Sequence, residues 1–405
     1  MTVTVRPFTP RGTVTAPPSK SAAHRLLVCA GLAAGESVIE NVPACEDAAA
    51  TLRCLTALGA AVTRDGATVR VRGTDPATAR AAVLDCGESG STLRFLTPLC
   101  LVGENEQTLT GSRKLLSRPL AVYETLCREK GLAFRLTDGA LTVKGPLSSG
   151  AFTVPGNVSS QFVSGLLFAL PLLAGDSTLS VTDPVESRPY IDMTLAALRQ
   201  FGVTVRETAP NAWLIPGGQR YRPQTATVEG DCSGAAFFEA LNFLGGDVTV
   251  AGLAPDTLQG DRVFSALAKR IVCERAPVDL ADCPDLAPVL FAVAAANGGG
   301  TFTGTRRLAD KESDRARVMQ AELAKFGAAV TVEENRVRVT GGALHAPTEP
   351  LCGHNDHRVV MALAVLACKT GGTIVGAEAV AKSFPNFFEL YSSLGTEVLS
   401  YGMDQ

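Results

Sequence analysis

The sequence lacks an excess of basic charge, and that excludes one large class of functions. Its 37 Lys and Arg are outnumbered by 40 Asp and Glu, for a net charge of −3. Binding driven by the phosphates of a nucleic acid needs the opposite balance. It lacks a long hydrophobic run as well. The longest candidate, residues 162–174, is interrupted by Ser164, Gly165 and Pro171 and is shorter than the roughly 20 apolar residues a membrane span needs. No secretory core is expected in residues 1–10, where Thr and Val alternate. No CxxC pair occurs, and the eleven cysteines are odd in number and scattered among apolar neighbours. Buried free thiols in a reducing cytoplasm are the expectation. With 46% apolar and 19% charged residues over 405 positions, the chain is not disordered and is long enough for two or three domains.

What is present is a repeat. A Gly-Ala-rich apolar helix leads through a glycine turn to a short β-branched strand, then to a second amphipathic helix, another glycine turn and alternating strands. The clearest copy runs from Gly35 through a helix over 47–58 to a strand over 68–72; further copies begin near Thr108, Gly175, Gly246, Gly300 and Gly372. Spacings of roughly 55–75 residues exceed those of thin solenoid layers, at about 20–50. Each copy therefore reads as a small βαβαββ unit. Six units exceed one core. The pattern predicts an α/β chain of two domains with three units each, divided near 227–230 after a proline-rich coil over 210–223; if the three units of a domain pack around a pseudo-three-fold axis, their helix starts face one cleft. The strand over 3–5 is expected to pair with the second domain.

Polar residues open the apolar helices: Ser19-Lys20-Ser21 with His24 and Arg25, Gly87 to Ser91 with Arg94, Ser159-Ser160-Gln161, Asp231 to Ser233, Asp285, and Asn355 to Arg358. Capping explains Ser, Asp and Asn. It does not explain Lys20, Arg25, Arg94 and Arg358, since cations in a first turn oppose the helix dipole. Bound anions would reconcile the two, and convergent helix starts would suit a ligand carrying several anionic groups. Arg113, Lys114 and Arg118 add a basic loop. Residues 311–315 read equally as an ion-paired solvated face, and Lys382 alone is unremarkable. There is no GxxxxGK[ST] phosphate loop. Gly298-Gly299-Gly300 follows an apolar helix and reads as a turn, and His354 and His357 lack metal-site spacing, so no metal is expected.

Taken in order, Pro18-Ser19-Lys20-Ser21, Cys86 to Arg94, Ser117-Arg118-Pro119-Leu120, Ser159 to Phe162, Glu186 to Tyr190, Pro284-Asp285, Lys311 to Arg315, Asn355 to Arg358 and Lys382 to Pro385 resemble the enolpyruvyl transferases. Within that family they resemble the branch acting on shikimate 3-phosphate. The resemblance implies two domains closing on substrate, 14–228 and 1–13 plus 229–405. It implies transfer of the enolpyruvyl group of phosphoenolpyruvate to the 5-hydroxyl of shikimate 3-phosphate, releasing phosphate by addition and elimination, with no metal or organic cofactor. A cytoplasmic monomer without nucleic-acid or membrane partners is expected.

Carried over by position, Asp285, Glu312 and Lys20 would be catalytic. Lys20, Ser21, Arg25, Ser159, Ser160, Gln161, Ser187, Asp285 and Lys311 would hold shikimate 3-phosphate. Lys20, Gly90, Arg118, Gln161, Arg315, Arg358 and Lys382 would hold phosphoenolpyruvate. The sequence departs from the family at His24, often Asn; at Glu88-Ser89, often Asn-Ala; at Ser91, often Thr; and near Arg307, where some members place a substrate-binding Asn. Gly90 suggests a site open to glyphosate, with Glu88 changing the charge beside it. The rival branch acts on UDP-N-acetylglucosamine; it usually carries a Cys in the loop corresponding to 113–118 and a Lys-Asn pair near the N-terminus, and here that loop has none and Ser21 follows Lys20. A non-catalytic anion-binding protein of the same fold would not need the acid–base set.

Overall fold

Short β-branched runs become strands and the Gly-Ala-rich segments become buried helices, in the order the repeat requires. The computed structural model describes residues 1–401. The chain forms two units, Lys20–Glu229 and a second made of Met1–Ser19 with the chain from Gly230 on. Each has its own hydrophobic core, and no residue belongs to both.

In the Lys20–Glu229 unit the repeat is plain. Strand Val83–Asp85, helix Gly90–Cys100, strand Gln107–Thr110, helix Ala121–Glu129 and the hairpin Ala133–Leu136 with Ala140–Lys144 follow one another. The first two strands pair in parallel and the hairpin adds antiparallel to the second. Successive strands that run in the same direction need a crossover and an antiparallel hairpin only a turn, so helices fall between the first and second and between the second and third strands, and a turn joins the third to the fourth. Strand Ala151–Pro155, helix Ser160–Ala169, strand Ser177–Thr182, helix Arg188–Gln200 and the hairpin Arg206–Ala209 with Ala212–Ile215 repeat the order. The third sheet takes its first strand, Thr225–Thr227, from the end of the unit and sets it parallel to Glu36–Glu40.

The other unit has the same plan with two edits. Val278–Asp279 to Arg336–Thr340 is a full copy around the apolar helix Ala287–Ala296. The last copy, from Leu351–Cys352 through helix His357–Thr370 to Gly372–Val375, is completed by the N-terminal strand Thr2–Val5 and by Leu399–Tyr401. The remaining sheet has two strands, Arg11–Thr15 parallel to Asp247–Ala251. That pairing keeps residues 14–19 in this unit, so the chain passes between units after Ser19 and again after Glu229, where 13 and 228 were expected.

The stretch 210–223 is not coil throughout. Ala212–Ile215 is a strand whose Trp213 is 1% exposed, because an Ala-Trp-Leu-Ile run places alternate residues in the core. Every cysteine is a free thiol, and all but Cys273 and Cys352 are buried. Among the described residues no helix is long and apolar enough to cross a membrane.

Candidate active site

Two helices that nearly touch bring one group of polar residues together within the Lys20–Glu229 unit. Gly165 lies on Ser160–Ala169 against Gly90–Cys100, where a Cβ would collide with the Arg94 carbonyl and the Tyr123 hydroxyl. Tyr123 Oη donates to the carbonyls of Arg94 and Phe162 at 2.7 and 3.1 Å, tying both helices. Their starts are thereby brought together. Gln161 Nε2 donates to Ser91 Oγ at 3.0 Å, and Gln161 Oε1 accepts from Arg94 Nη1 at 2.7 Å. Ser159 caps its helix by accepting from the Gln161 N–H, and Ser160 is the helix's first residue, buried. Ser89 caps the other helix through the Thr92 N–H. Beside it Gly90 leaves room for Arg118: a Cβ there would lie 2.7 Å from Arg118 Nη1.

Lys20 opens the helix Lys20–Leu32, and its Nζ lies 2.8 Å from Asp47 Oδ2 in the first turn of Glu46–Ala57. Ser21 follows it, half-buried. Arg25 and Arg94 are not in first turns, as the sequence pattern implied, but one turn further in. Helical side chains lean toward the N-terminus, so Arg25 still reaches back, donating to the carbonyls of Ser21 and Tyr190 at 2.7 and 2.8 Å and to Thr194 Oγ1 at 2.9 Å. Burial lowers its pKa to about 10. Ser187, buried, sits at a left-handed φ of 59° before the helix Arg188–Gln200.

The other unit carries a denser cluster. Asp285 lies in the short turn Pro284–Leu286 that leads into Ala287–Ala296. Its Oδ1 accepts from Lys311 Nζ at 3.0 Å and Arg315 Nη1 at 2.8 Å, and its Oδ2 faces Arg358 Nη2 at 3.2 Å. Arg315 is 1% exposed and also binds Glu312 Oε2 at 2.7 Å and Asp356 Oδ2 at 2.9 Å. Residues 311–315 thus form a buried ion-pair network instead of a solvated face, with the helix beginning only at Arg315. Lys382 Nζ donates to the Asn355 carbonyl at 2.6 Å.

The electrostatics follow from burial and crowding. Burial pushes the Asp285 carboxyl up, but Arg358, Lys311 and Arg315 outweigh it and hold it well below the usual range. Burial lowers the Lys311 ammonium to about 8, against the pull of Asp285. Burial also raises Asp261, to about 6, with Asp285 adding repulsion. Asp356, fully buried, caps the helix His357–Thr370 and is held low, against the cost of burial, chiefly by Arg315. His354 Nε2 meets Glu322 Oε1 at 2.9 Å, and among the described residues no group of His, Cys, Asp and Glu could hold a metal ion.

Sequence reasoning left out Asp47, Asp261, Glu322 and Asp356 as site residues. Asp356 was read only as a cap. Its place directly before His357-Arg358 was the available signal. The carboxylates facing Lys20 and His354 come from distant segments and left none.

Solved structures place this architecture. The EPSP synthase from Acinetobacter baumannii superposes with a TM-score of 0.77 at 24% identity, over 98% of this chain and 100% of that one. The enolpyruvyl transferase NikO from Streptomyces tendae superposes at 0.74 and 18%, over 98% of each. The fold is that of the enolpyruvyl transferases, two domains of βαβαββ units. The family model described as EPSP synthase (3-phosphoshikimate 1-carboxyvinyltransferase) matches residues 8–390. Proteins named 3-phosphoshikimate 1-carboxyvinyltransferase from Clostridium kluyveri and Clostridium acetobutylicum are 39% and 37% identical, covering 98% and 100% of this chain and 98% and 99% of their own. The chain belongs to the EPSP synthase family of enzymes.

Proposed function

We propose that this chain transfers the enolpyruvyl group of phosphoenolpyruvate to the 5-hydroxyl of shikimate 3-phosphate and releases phosphate, with the named residues in the following roles. Lys20, Ser21, Arg25, Ser159, Ser160, Gln161 and Ser187 hold shikimate 3-phosphate. Gly90, Arg118, Gln161, Arg315, Arg358 and Lys382, with Lys20, hold phosphoenolpyruvate. The observation that carries this reading is the Asp285 carboxylate with three cations on it.

A carboxylate so strongly paired is a weak base. Arg315 and Arg358 are the cations assigned to phosphoenolpyruvate, so arrival of its carboxylate and phosphate draws their charge off Asp285 and raises its basicity. Asp285 then accepts the 5-hydroxyl proton as that oxygen attacks C2. C3 gains a proton and becomes a methyl group, Glu312 and Lys20 being the groups for that transfer. Loss of phosphate and of one methyl proton regenerates the enol ether. The Lys311 ammonium, already 3.0 Å from Asp285, binds the ring hydroxyls. Fixed cations serve both substrates because the charge they meet is known in advance and needs no reorganisation. The chain acts as a cytoplasmic monomer on these small molecules, and glyphosate, itself an anion, enters beside Gly90.

Phosphate release from phosphoenolpyruvate tests the assignment. Release is expected with shikimate 3-phosphate and not with UDP-N-acetylglucosamine. Asp285→Asn, folded by circular dichroism, is expected to lose roughly 10²–10⁴-fold in kcat. Release with the nucleotide sugar instead would overturn the substrate, and an unchanged kcat in Asp285→Asn would overturn the base.

A further inference from the structure

Two consecutive residues other than glycine, His354 and Asn355, have φ of 49° and 53°. Left-handed backbone of this kind persists only where the surroundings over-determine it. Here the turn lies between strand Leu351–Cys352 and helix His357–Thr370, and a single buried carboxylate holds its first half. Glu322, 2% exposed on helix Arg315–Ala324, accepts from the Cys352 N–H through Oε2 at 2.9 Å and from His354 Nε2 through Oε1 at 2.9 Å. A carboxylate oxygen accepts, so in this contact His354 donates from Nε2. Two backbone bonds complete the hold, Gly353 N–H to the Val375 carbonyl at 2.8 Å and Asp356 N–H to the Gly353 carbonyl at 2.9 Å.

The second half of the turn presents acceptors to the cations of the site. The Asn355 carbonyl takes the Lys382 ammonium at 2.6 Å. The Asp356 carboxylate takes Arg315 Nε at 2.9 Å, Ser313 Oγ at 3.0 Å and the Arg358 N–H at 2.9 Å. One strained turn therefore aims Lys382, Arg315 and the helix start carrying Arg358. We infer that Glu322 is a positioning residue for phosphoenolpyruvate: through Cys352 and His354 it locks the 352–356 turn, and the turn sets the places of Lys382, Arg315 and Arg358. Glu322 itself touches neither substrate.

Resting on the assignment of those three cations to phosphoenolpyruvate made above, this role has a separable test. The steady-state KM for phosphoenolpyruvate and for shikimate 3-phosphate is measured in wild type, Glu322→Gln, His354→Ala and Lys382→Ala, with thermal unfolding of each. Val337→Ala, in the core strand Arg336–Thr340, is the control for lost stability alone. Glu322→Gln and His354→Ala are expected to raise KM for phosphoenolpyruvate about tenfold and to leave that for shikimate 3-phosphate within about twofold; Val337→Ala is expected to move neither. Glu322→Asp is expected to recover part of the loss. If Lys382→Ala leaves KM for phosphoenolpyruvate unchanged, the underlying assignment fails. If Lys382→Ala raises it and neither Glu322→Gln nor His354→Ala does, the positioning role fails. It fails equally if both KM values rise together or if Val337→Ala reproduces the effect.

Discussion

His24 is held far from its ordinary chemistry by its environment. It is fully buried, its Nδ1 is 2.7 Å from Thr51 Oγ1, and Nε2 has no hydrogen-bond partner among the described residues. Burial, then Lys20 and Arg25, hold its pKa well below 6.5. The unfolded chain therefore binds a proton near pH 6.5 that the folded chain refuses, and stability falls as pH drops below that value. His24→Gln removes the difference. Urea unfolding at pH 7 and pH 5 is expected to show a loss in wild type, by up to about 1.4 kcal/mol per pH unit, that is smaller in the variant. Gly90 matters for a different reason. An alanine there meets the end of the flexible Arg118 side chain at 2.7 Å rather than backbone, so the fold survives and the guanidinium moves. Gly90→Ala is expected to raise KM for phosphoenolpyruvate roughly tenfold with an unchanged melting temperature.

Between elements, the contact of Gly90–Cys100 with Ser160–Ala169 decides how Gln161 meets Ser91 and Arg94. Both helices are buried along nearly their whole length, and Gly165 lets their backbones come so close. Gly165→Ala must displace backbone at Arg94 as well as Tyr123. Its expected cost is about 1–3 kcal/mol, read from chemical denaturation. Activity is expected to fall with it, because Gln161 then separates from Ser91 and Arg94. The helix starts themselves were legible in the sequence as caps followed by apolar runs. What Arg25 and Arg94, one turn in, reach back to was not, since sequence shows how far a residue lies from its cap but not which groups its guanidinium meets.

For the whole molecule, the chain passes between its units twice, yet each unit closes its own sheets and core. Thr225–Thr227 returns to pair with Glu36–Glu40, so residues 20–229 contain all three of their sheets. That segment, expressed alone, is expected to unfold cooperatively by circular dichroism. It is expected to release no phosphate from phosphoenolpyruvate, since Asp285, Glu312, Arg315, Arg358 and Lys382 lie in the other unit. Folding without cooperativity would mean that the core of this unit depends on the remainder of the chain.

The sequence by itself determined the repeat, the parallel-then-antiparallel sheets, the polar helix starts and the family. These are local properties: periodicity, glycine turns and caps act within a few residues, and the motifs carry their own spacing. It also supplied the cations. What the tertiary structure decided is which carboxylate each cation meets. Asp47 faces Lys20 across 27 positions, Asp356 faces Arg315 across 41, and Glu322 reaches His354 across 32. Such pairs depend on how separate helices pack, and no periodicity along the chain encodes that. The same reason hid the late crossing at Ser19: Arg11–Thr15 pairs with Asp247–Ala251, far along the sequence, and that partner becomes visible only when the sheets have formed.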